Sequence, residues 1–204
     1  MKNIAILVLA AGKSSRMKSI KQLEKINNTP LIEITLEKIQ AIFTDHIFCV
    51  LGANAAIVKQ GITTKNIQFI NNKNFENGLS SSIVAGIDYF REHQLNFDSI
   101  FILLADQPAI EVSYLAHMVD LSSMHQGKII ASNYGNKLGV PALFPAIYHS
   151  ELLLIKGDKG AKEFINLKRK DVVCPTVFTN LTDIDTKEDL NSYIKSISKN
   201  NLTT

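Results

Sequence analysis

Short hydrophobic runs alternate with segments of helical period from one end of the chain to the other. The runs Ile4–Ala10, His46–Leu51, Ile67–Asn71, Ser99–Leu104, Lys128–Ser132 and Val172–Phe178 are rich in Ile, Leu, Val and Phe, and they predict strands buried on both faces. Between them, Pro30–Phe43, Leu79–Phe90, Glu111–Met124, Ala161–Leu167 and Lys187–Ile197 carry helical periodicity. In the second of these, Leu79, Ile83, Ile87 and Phe90 put one apolar face towards a sheet. Such alternation predicts an α/β fold, a mostly parallel sheet covered by helices. No linker or repeat divides the chain, so residues 1–198 read as one domain and 199–204 as a frayed polar tail. The stretch Asn133–Phe144, with Gly135, Gly139 and Pro141, interrupts the pattern and reads as a hairpin or a substrate-facing insertion.

In an open α/β sheet, ligands bind outside the carboxyl ends of the strands, which directs attention to the loops that follow them. The first runs Ala10-Ala11-Gly12-Lys13-Ser14-Ser15-Arg16 and on to Lys21. Gly12-Lys13-Ser14 imitates the end of a Walker A motif, but Leu7 stands where that motif needs a glycine. What remains is a turn of small residues that lets backbone N–H groups approach a ligand, with Arg16 and Lys21 available to neutralise phosphate oxygens. Spacing alone is equally compatible with a solvated basic loop. The second loop holds Asp106 between a hydrophobic strand and Pro108, a position suited to holding Mg²⁺ or, more simply, to capping the helix near Glu111. The third, Asn77-Gly78-Leu79-Ser80-Ser81-Ser82, opens a helix with three hydroxyls, where an anion could dock; N-capping explains only one of them. In the fourth, Thr186 and Asp189 form a capping box for the last helix, which leaves Asp183 and Asp185 without a structural task.

Composition narrows the chemistry. Across 204 residues the formal charge is only +3, too small an excess for a phosphate-neutralising nucleic-acid surface. Five cations and one acid lie between Lys13 and Lys25, whereas the rest of the chain balances 17 basic against 18 acidic residues. The whole excess therefore sits in the first loop. Cys49 and Cys174 lie in apolar runs and read as core thiols of a reducing, cytoplasmic compartment. The apolar run Ile4–Ala11 is too short to span a bilayer and, although it imitates a signal peptide, reads better as a strand ending in a glycine turn. No G-x-S-x-G is present, the five histidines stand apart, and neither cysteine is flanked by cations. This pattern favours chemistry in which the substrate supplies the attacking group.

Taken together, these stretches resemble the MobA-like nucleotidyltransferases, and among them the molybdenum cofactor cytidylyltransferases. The family signature L-A-A-G-x-S-x-R-M-G-x-x-K-x-L is matched from Leu9 to Leu23 at every specified position but one, where Lys18 replaces glycine. Similar correspondence covers Asn74–Gly86, with Phe75 slightly shifted, then Leu104–Pro108, Gly139–Phe144, Gly157–Lys162 and Asp183–Leu190. The resemblance implies a single-domain, Rossmann-like three-layer sandwich with a mixed, mostly parallel sheet. It implies transfer of CMP from CTP to the phosphate of molybdenum-molybdopterin, with Mg²⁺ as cofactor and pyrophosphate as product. Leu9, Ala10, Ala11, Gly12, Lys13, Ser14, Arg16, Lys21 and Ser80 would bind the nucleotide, with Arg16, Lys21 and Asp106 catalytic. Asp106 with Asp185 or Asp183 would hold the metal. Gly78, Ser80, Ser81, Ser82, Gly139 and Pro141 would face the acceptor. Ala11 points to CTP, because guanylyl-transferring relatives carry L-A-G-G here. Expected partners are CTP or another nucleoside triphosphate, the molybdopterin-type acceptor, and a recipient molybdoenzyme or its chaperone, with neither nucleic acid nor membrane. The rival readings are transfer to another phosphorylated acceptor, a non-catalytic nucleotide-binding relative, and a glycosyltransferase using Asp183-Ile184-Asp185 as a D-x-D motif.

Overall fold

A computed structural model describes residues 3–200. The chain forms strands β1 (Ile4–Leu9), β2 (Lys25–Ile26), β3 (Thr29–Pro30), β4 (Ile47–Leu51), β5 (Ile67–Asn71), β6 (Ser99–Leu104), β7 (Ile129–Asn133), β8 (Leu138–Pro145) and β9 (Val172–Val173). The helices are α1 (Leu31–Gln40), α2 (Ala55–Gln60), α3 (Leu79–Glu92), α4 (Val112–Met124), α5 (His149–Leu152), α6 (Ala161–Leu167) and α7 (Lys187–Asn200). Seven strands make one sheet in the order β5-β4-β1-β6-β8-β7-β9, while β2 and β3 form a separate small hairpin. Within the large sheet only β8 runs against its neighbours.

The period-two geometry of a strand divides β1 between two cores. Ala5, Leu7 and Leu9 join Ile83, Ile87 and Phe90 of α3 and Phe164 and Ile165 of α6. Ile4, Ile6 and Val8 join Ile32, Leu36 and Ile39 of α1 and Leu115 and Met118 of α4. The sheet is thus the middle layer of an α/β/α sandwich, and its central strands β1 and β4 are wholly apolar because neither face meets water. Each large side chain buried this way contributes roughly 1.5–3 kcal/mol, so two full cores hold a chain of this size without disulfides; Cys49 and Cys174 are both free thiols. Burial raises the pKa of Cys49 to about 12, in keeping with an inert core thiol.

Two expectations need correction, and a third is met. The run Val172–Phe178 pairs only through Val172 and Val173, because Pro175 lacks an N–H for the ladder and Val177 and Phe178 turn outward. The stretch Asn133–Phe144 takes the hairpin form of its two readings, connecting β7 to β8, with Gly139 and Pro141 inside β8. Between Ala131 and Ser132 the β7–β8 pairing slips, leaving Val140 and Pro141 outside the regular ladder, which is how a proline fits inside this sheet. Finally, α7 continues through Lys199 and Asn200, and the remainder of the expected tail, residues 201–204, lies outside the described residues.

Strands β1 and β6 pair in register from Ile4 with Ser99 to Leu9 with Leu104, so they end flush. The first and second loops therefore begin side by side, and the Ala105 N–H donates to the Leu9 carbonyl at 3.1 Å. Because β8 is antiparallel, the hairpin tip between β7 and β8 projects from that same edge.

Candidate active site

Four loops meet at this edge. The first is shaped by Gln22, a buried amide whose Nε2 donates to the carbonyls of Ala10 at 2.9 Å and Gly12 at 3.2 Å. Ser14 Oγ donates to Gln22 Oε1 at 3.2 Å and accepts from the Lys21 N–H at 3.1 Å, which fixes the backbone from which the Lys21 side chain departs. Met17, 1 % exposed, packs with Ile26, Leu31, Ile184 and Leu190, pinning the loop to the segment that carries Asp185. That segment is fastened to the second loop as well, for the Ile184 N–H donates to the Asp106 carbonyl at 2.9 Å. Thr186 and Asp189 form the expected capping box, Thr186 N–H to Asp189 Oδ2 at 2.8 Å and Asp189 N–H to Thr186 Oγ1 at 3.1 Å.

These constraints converge on Lys21. Its ammonium bridges Asp106 Oδ2 at 2.6 Å and Asp185 Oδ1 at 2.8 Å, and Arg16 reaches Asp185 Oδ2 at 2.9 Å. Lys21 is 13 % exposed, whereas Arg16, 69 % exposed, lies open to solvent. Burial pulls the Lys21 pKa down, but the two carboxylates, Asp106 foremost, more than offset it and hold the pKa above the ordinary lysine value. Asp183 has a different partner: its Oδ1 accepts from Gln107 Nε2 at 2.8 Å. Desolvation, then the nearby charge of Asp106, raises its pKa to about 6. Asp106 Oδ1 is buried without a hydrogen-bond partner. The capping role for Asp106 does not hold, since α4 begins at Val112 behind Glu111 with no side-chain cap.

The opening above this cluster is one cleft with two halves that share Leu9, Leu79, Leu104, Asp158 and Asp183. The first half, about 510 Å³, is lined by Leu9 to Lys13, Arg16, Lys21, Phe75, Gly78, Ser82 and Asp106. The second, about 500 Å³, is mostly hydrocarbon (Leu79, Ile83, Leu104, Leu138, Val140, Ala161) with Tyr134, Lys137, Lys159 and Lys162 around it. Gly78 has φ +89°, and a Cβ there would lie 2.6 Å from the backbone of Gly157, so only glycine allows α3 to start against the Gly157–Gly160 turn.

Not every expected residue reaches the cleft. Leu9, Ala10, Ala11, Gly12, Lys13, Arg16, Lys21, Gly78, Ser82, Asp106, Asp183 and Gly139 line it. Ser14 instead supports the loop from within. Ser80 is buried, and Ser81 donates to the Gly78 carbonyl at 2.7 Å and accepts from Asn72 at 2.8 Å, so the three hydroxyls do not share one face. Pro141 is buried in β8 with its carbonyl taken by Ser132. Gln22 and Gln107 were not foreseen as site residues. Gln107 ties Asp183 to the hairpin through the Tyr134 hydroxyl at 2.8 Å, and its position after Asp106 was the available signal.

Paired carboxylates and cations at the carboxyl edge of a doubly covered parallel sheet define an α/β protein built to hold a nucleotide. The profile of the MobA-like NTP transferase domain matches residues 6–172, and the chain belongs to that family of nucleotidyltransferases. The Bifunctional protein GlmU of Francisella philomiragia is 28% identical over 123 residues, 59% of this chain and 26% of that protein. The chain thus spans about a quarter of the length of that curated relative. Among solved structures, the Mycobacterium sp. strain JC1 homologue of Mycobacterium tuberculosis Rv0371c is 25% identical, with a TM-score of 0.81 over 96% of this chain and 97% of that one. Rv0371c itself, in complex with manganese, is 24% identical with a TM-score of 0.78, over 95% and 99% of the two chains.

Proposed function

We propose that this protein transfers CMP from CTP to the phosphate of molybdenum-loaded molybdopterin and releases pyrophosphate. The observation that carries the reading is the convergence of Arg16, Lys21 and Asp106 in the lining of the first half-cleft, with Asp185 paired to Arg16 and Lys21 behind them. Attack of an acceptor phosphate oxygen on the α-phosphorus forms one P–O bond and breaks the bond to the leaving pyrophosphate, so catalysis is mainly positioning and charge stabilisation. Arg16 and Lys21 neutralise the triphosphate, and Lys13 lies at the same mouth. A Cβ on Gly12 would meet nothing, which leaves room for phosphate oxygens against the backbone.

The residues fit a divalent ion. Asp106 offers a buried, unpartnered oxygen and Asp185 lies across Lys21 from it. Among the described residues no three or more His, Cys, Asp or Glu side chains gather as a metal site, which suits Mg²⁺, an ion that keeps waters and takes substrate oxygens beside one or two carboxylates. When bound, Mg²⁺ would neutralise charge on the phosphate oxygens. Asp106 and Asp185 would hold it, and Asp183, engaged by Gln107, would shape the cleft instead. The similar mycobacterial chain has been seen as a manganese complex, which supports a divalent ion in this reading.

For the acceptor, the largely hydrocarbon second half-cleft suits a flat ring system better than a polyhydroxylated sugar, whose hydroxyls need polar partners. Ala11 in the cleft wall, matching the cytidylyltransferase signature, supports CTP. With Mg²⁺ and molybdenum-loaded molybdopterin, CTP should release pyrophosphate at least about tenfold faster than GTP, a difference of roughly 1.4 kcal/mol in transition-state binding. Equal or faster release from GTP would overturn the base assignment, and release only with a sugar phosphate would overturn the acceptor.

A further inference from the structure

We propose that Lys21 occupies the cation position between Asp106 and Asp185 in the nucleotide-free protein, so that a divalent ion is taken up only with nucleotide phosphates. The inference rests on the reading of this site as a metal–triphosphate site and adds to it an order of events.

The direct ion pairs of the ligand-free cluster are matched in charge, with a third carboxylate, Asp183, engaged by Gln107 beside them. Two carboxylates, Asp106 and Asp185, face two cations, Lys21 and Arg16, with every ion-pair distance between 2.6 and 2.9 Å. Lys21 Nζ engages one oxygen of each carboxylate, so its charge stands between the two groups that would hold the ion. The remaining Asp106 oxygen is buried and has no hydrogen-bond partner. A divalent ion arriving alone must therefore displace an ammonium held by two carboxylates at once, and must also shed much of its tightly held water.

A triphosphate changes that balance. Lys21 and Arg16 line the same half-cleft in which phosphates would lie, and a lysine head on a four-carbon stem can swing while its backbone stays fixed by Ser14. Phosphate oxygens offer the ammonium a new partner, and the carboxylates it leaves carry a net negative charge that favours the incoming ion. Metal and nucleotide then bind with positive coupling, each raising the affinity for the other by the same factor.

The test is Mn²⁺ binding without nucleotide, followed by the electron paramagnetic resonance signal of the free ion. Lys21→Met should bind Mn²⁺ at least about tenfold more tightly than the wild type, since a cation beside the carboxylates has been removed. Lys21→Gln keeps a donor and removes only the charge; it should show the same gain and serves if the Met variant does not fold. Equal or weaker Mn²⁺ binding by the folded variants would overturn the proposal. So would a rise in the wild-type melting midpoint with Mg²⁺ alone as large as that with Mg²⁺ and CTP together. If CTP protects the wild type while the variants gain no Mn²⁺ affinity, the exchange is wrong and the nucleotide site stands. If CTP never binds while the variants gain affinity, the coupling to nucleotide falls with the nucleotide reading, and only the lysine's hold on the cation position stands.

Discussion

Lys18 shows how one residue can depart from a family pattern and still fit its backbone. It stands where the signature has glycine and adopts φ +58°, the left-handed conformation that a side chain makes unfavourable by about 1–2 kcal/mol. Its neighbour Met17 is buried in the small core beside α7, so the loop holds its path and the strain stays at Lys18, whose side chain is exposed. Lys18→Gly should therefore stabilise the fold, though glycine's extra freedom when unfolded reduces the gain to about 0.5–1 kcal/mol. That corresponds to a rise in melting midpoint of roughly 1–4 °C for a chain of this length. Lys18→Ala keeps the strain and should give no such rise; a midpoint for Lys18→Gly at or below that of the wild type would contradict the account. The same scale shows what sequence could reveal. The capping box absorbed Thr186 and Asp189 and left Asp183 and Asp185 over, but only packing tells them apart: Gln107 engages one and Lys21 the other. Gln22 gave no signal, because a buried glutamine that braces a loop looks in sequence like any polar residue.

At the scale of elements, strands buried on both faces were legible because continuous apolar runs leave few alternatives. The β8 strand was not, since Gly139 and Pro141 are turn residues by local chemistry and only the slipped pairing with β7 accommodates them. Helix α2, six residues long, and the two-residue strands β2 and β3 are too short for a period to show. The start of α3 illustrates a close approach of backbones that sequence hints at through glycine alone. The Ser80 N–H donates to the Gly157 carbonyl at 3.1 Å, and Gly78 sits against that turn at φ +89°. Gly78→Ala adds left-handed strain and pushes the Gly157 turn aside, for a loss of about 2–4 kcal/mol. The melting midpoint should fall by roughly 5–15 °C. An unchanged midpoint would show that the turn gives way freely.

For the whole molecule, the decisive feature is that β1 and β6 end flush and β8 runs the other way. These two facts bring the basic loop, the aspartate loop and the hairpin to one edge, where the chain's surplus positive charge meets its paired carboxylates. The order of motifs along the chain suggested this gathering, whereas the division of the cleft into a charged and an apolar half required the folded chain. Among the described residues no helix is long and apolar enough to cross a membrane. The central claim, that this edge binds a nucleoside triphosphate with a divalent ion through Lys21 and Asp106, is tested most directly by the melting midpoint with Mg²⁺ and CTP. Ligand at 100 times its Kd stabilises by about 2.7 kcal/mol, which should raise the wild-type midpoint by roughly 5–10 °C. Asp106→Asn, which keeps the shape and removes the charge, should lose most of that rise while melting near the wild type without ligand. No protection of the wild type by any nucleoside triphosphate, or full protection of Asp106→Asn, would contradict it.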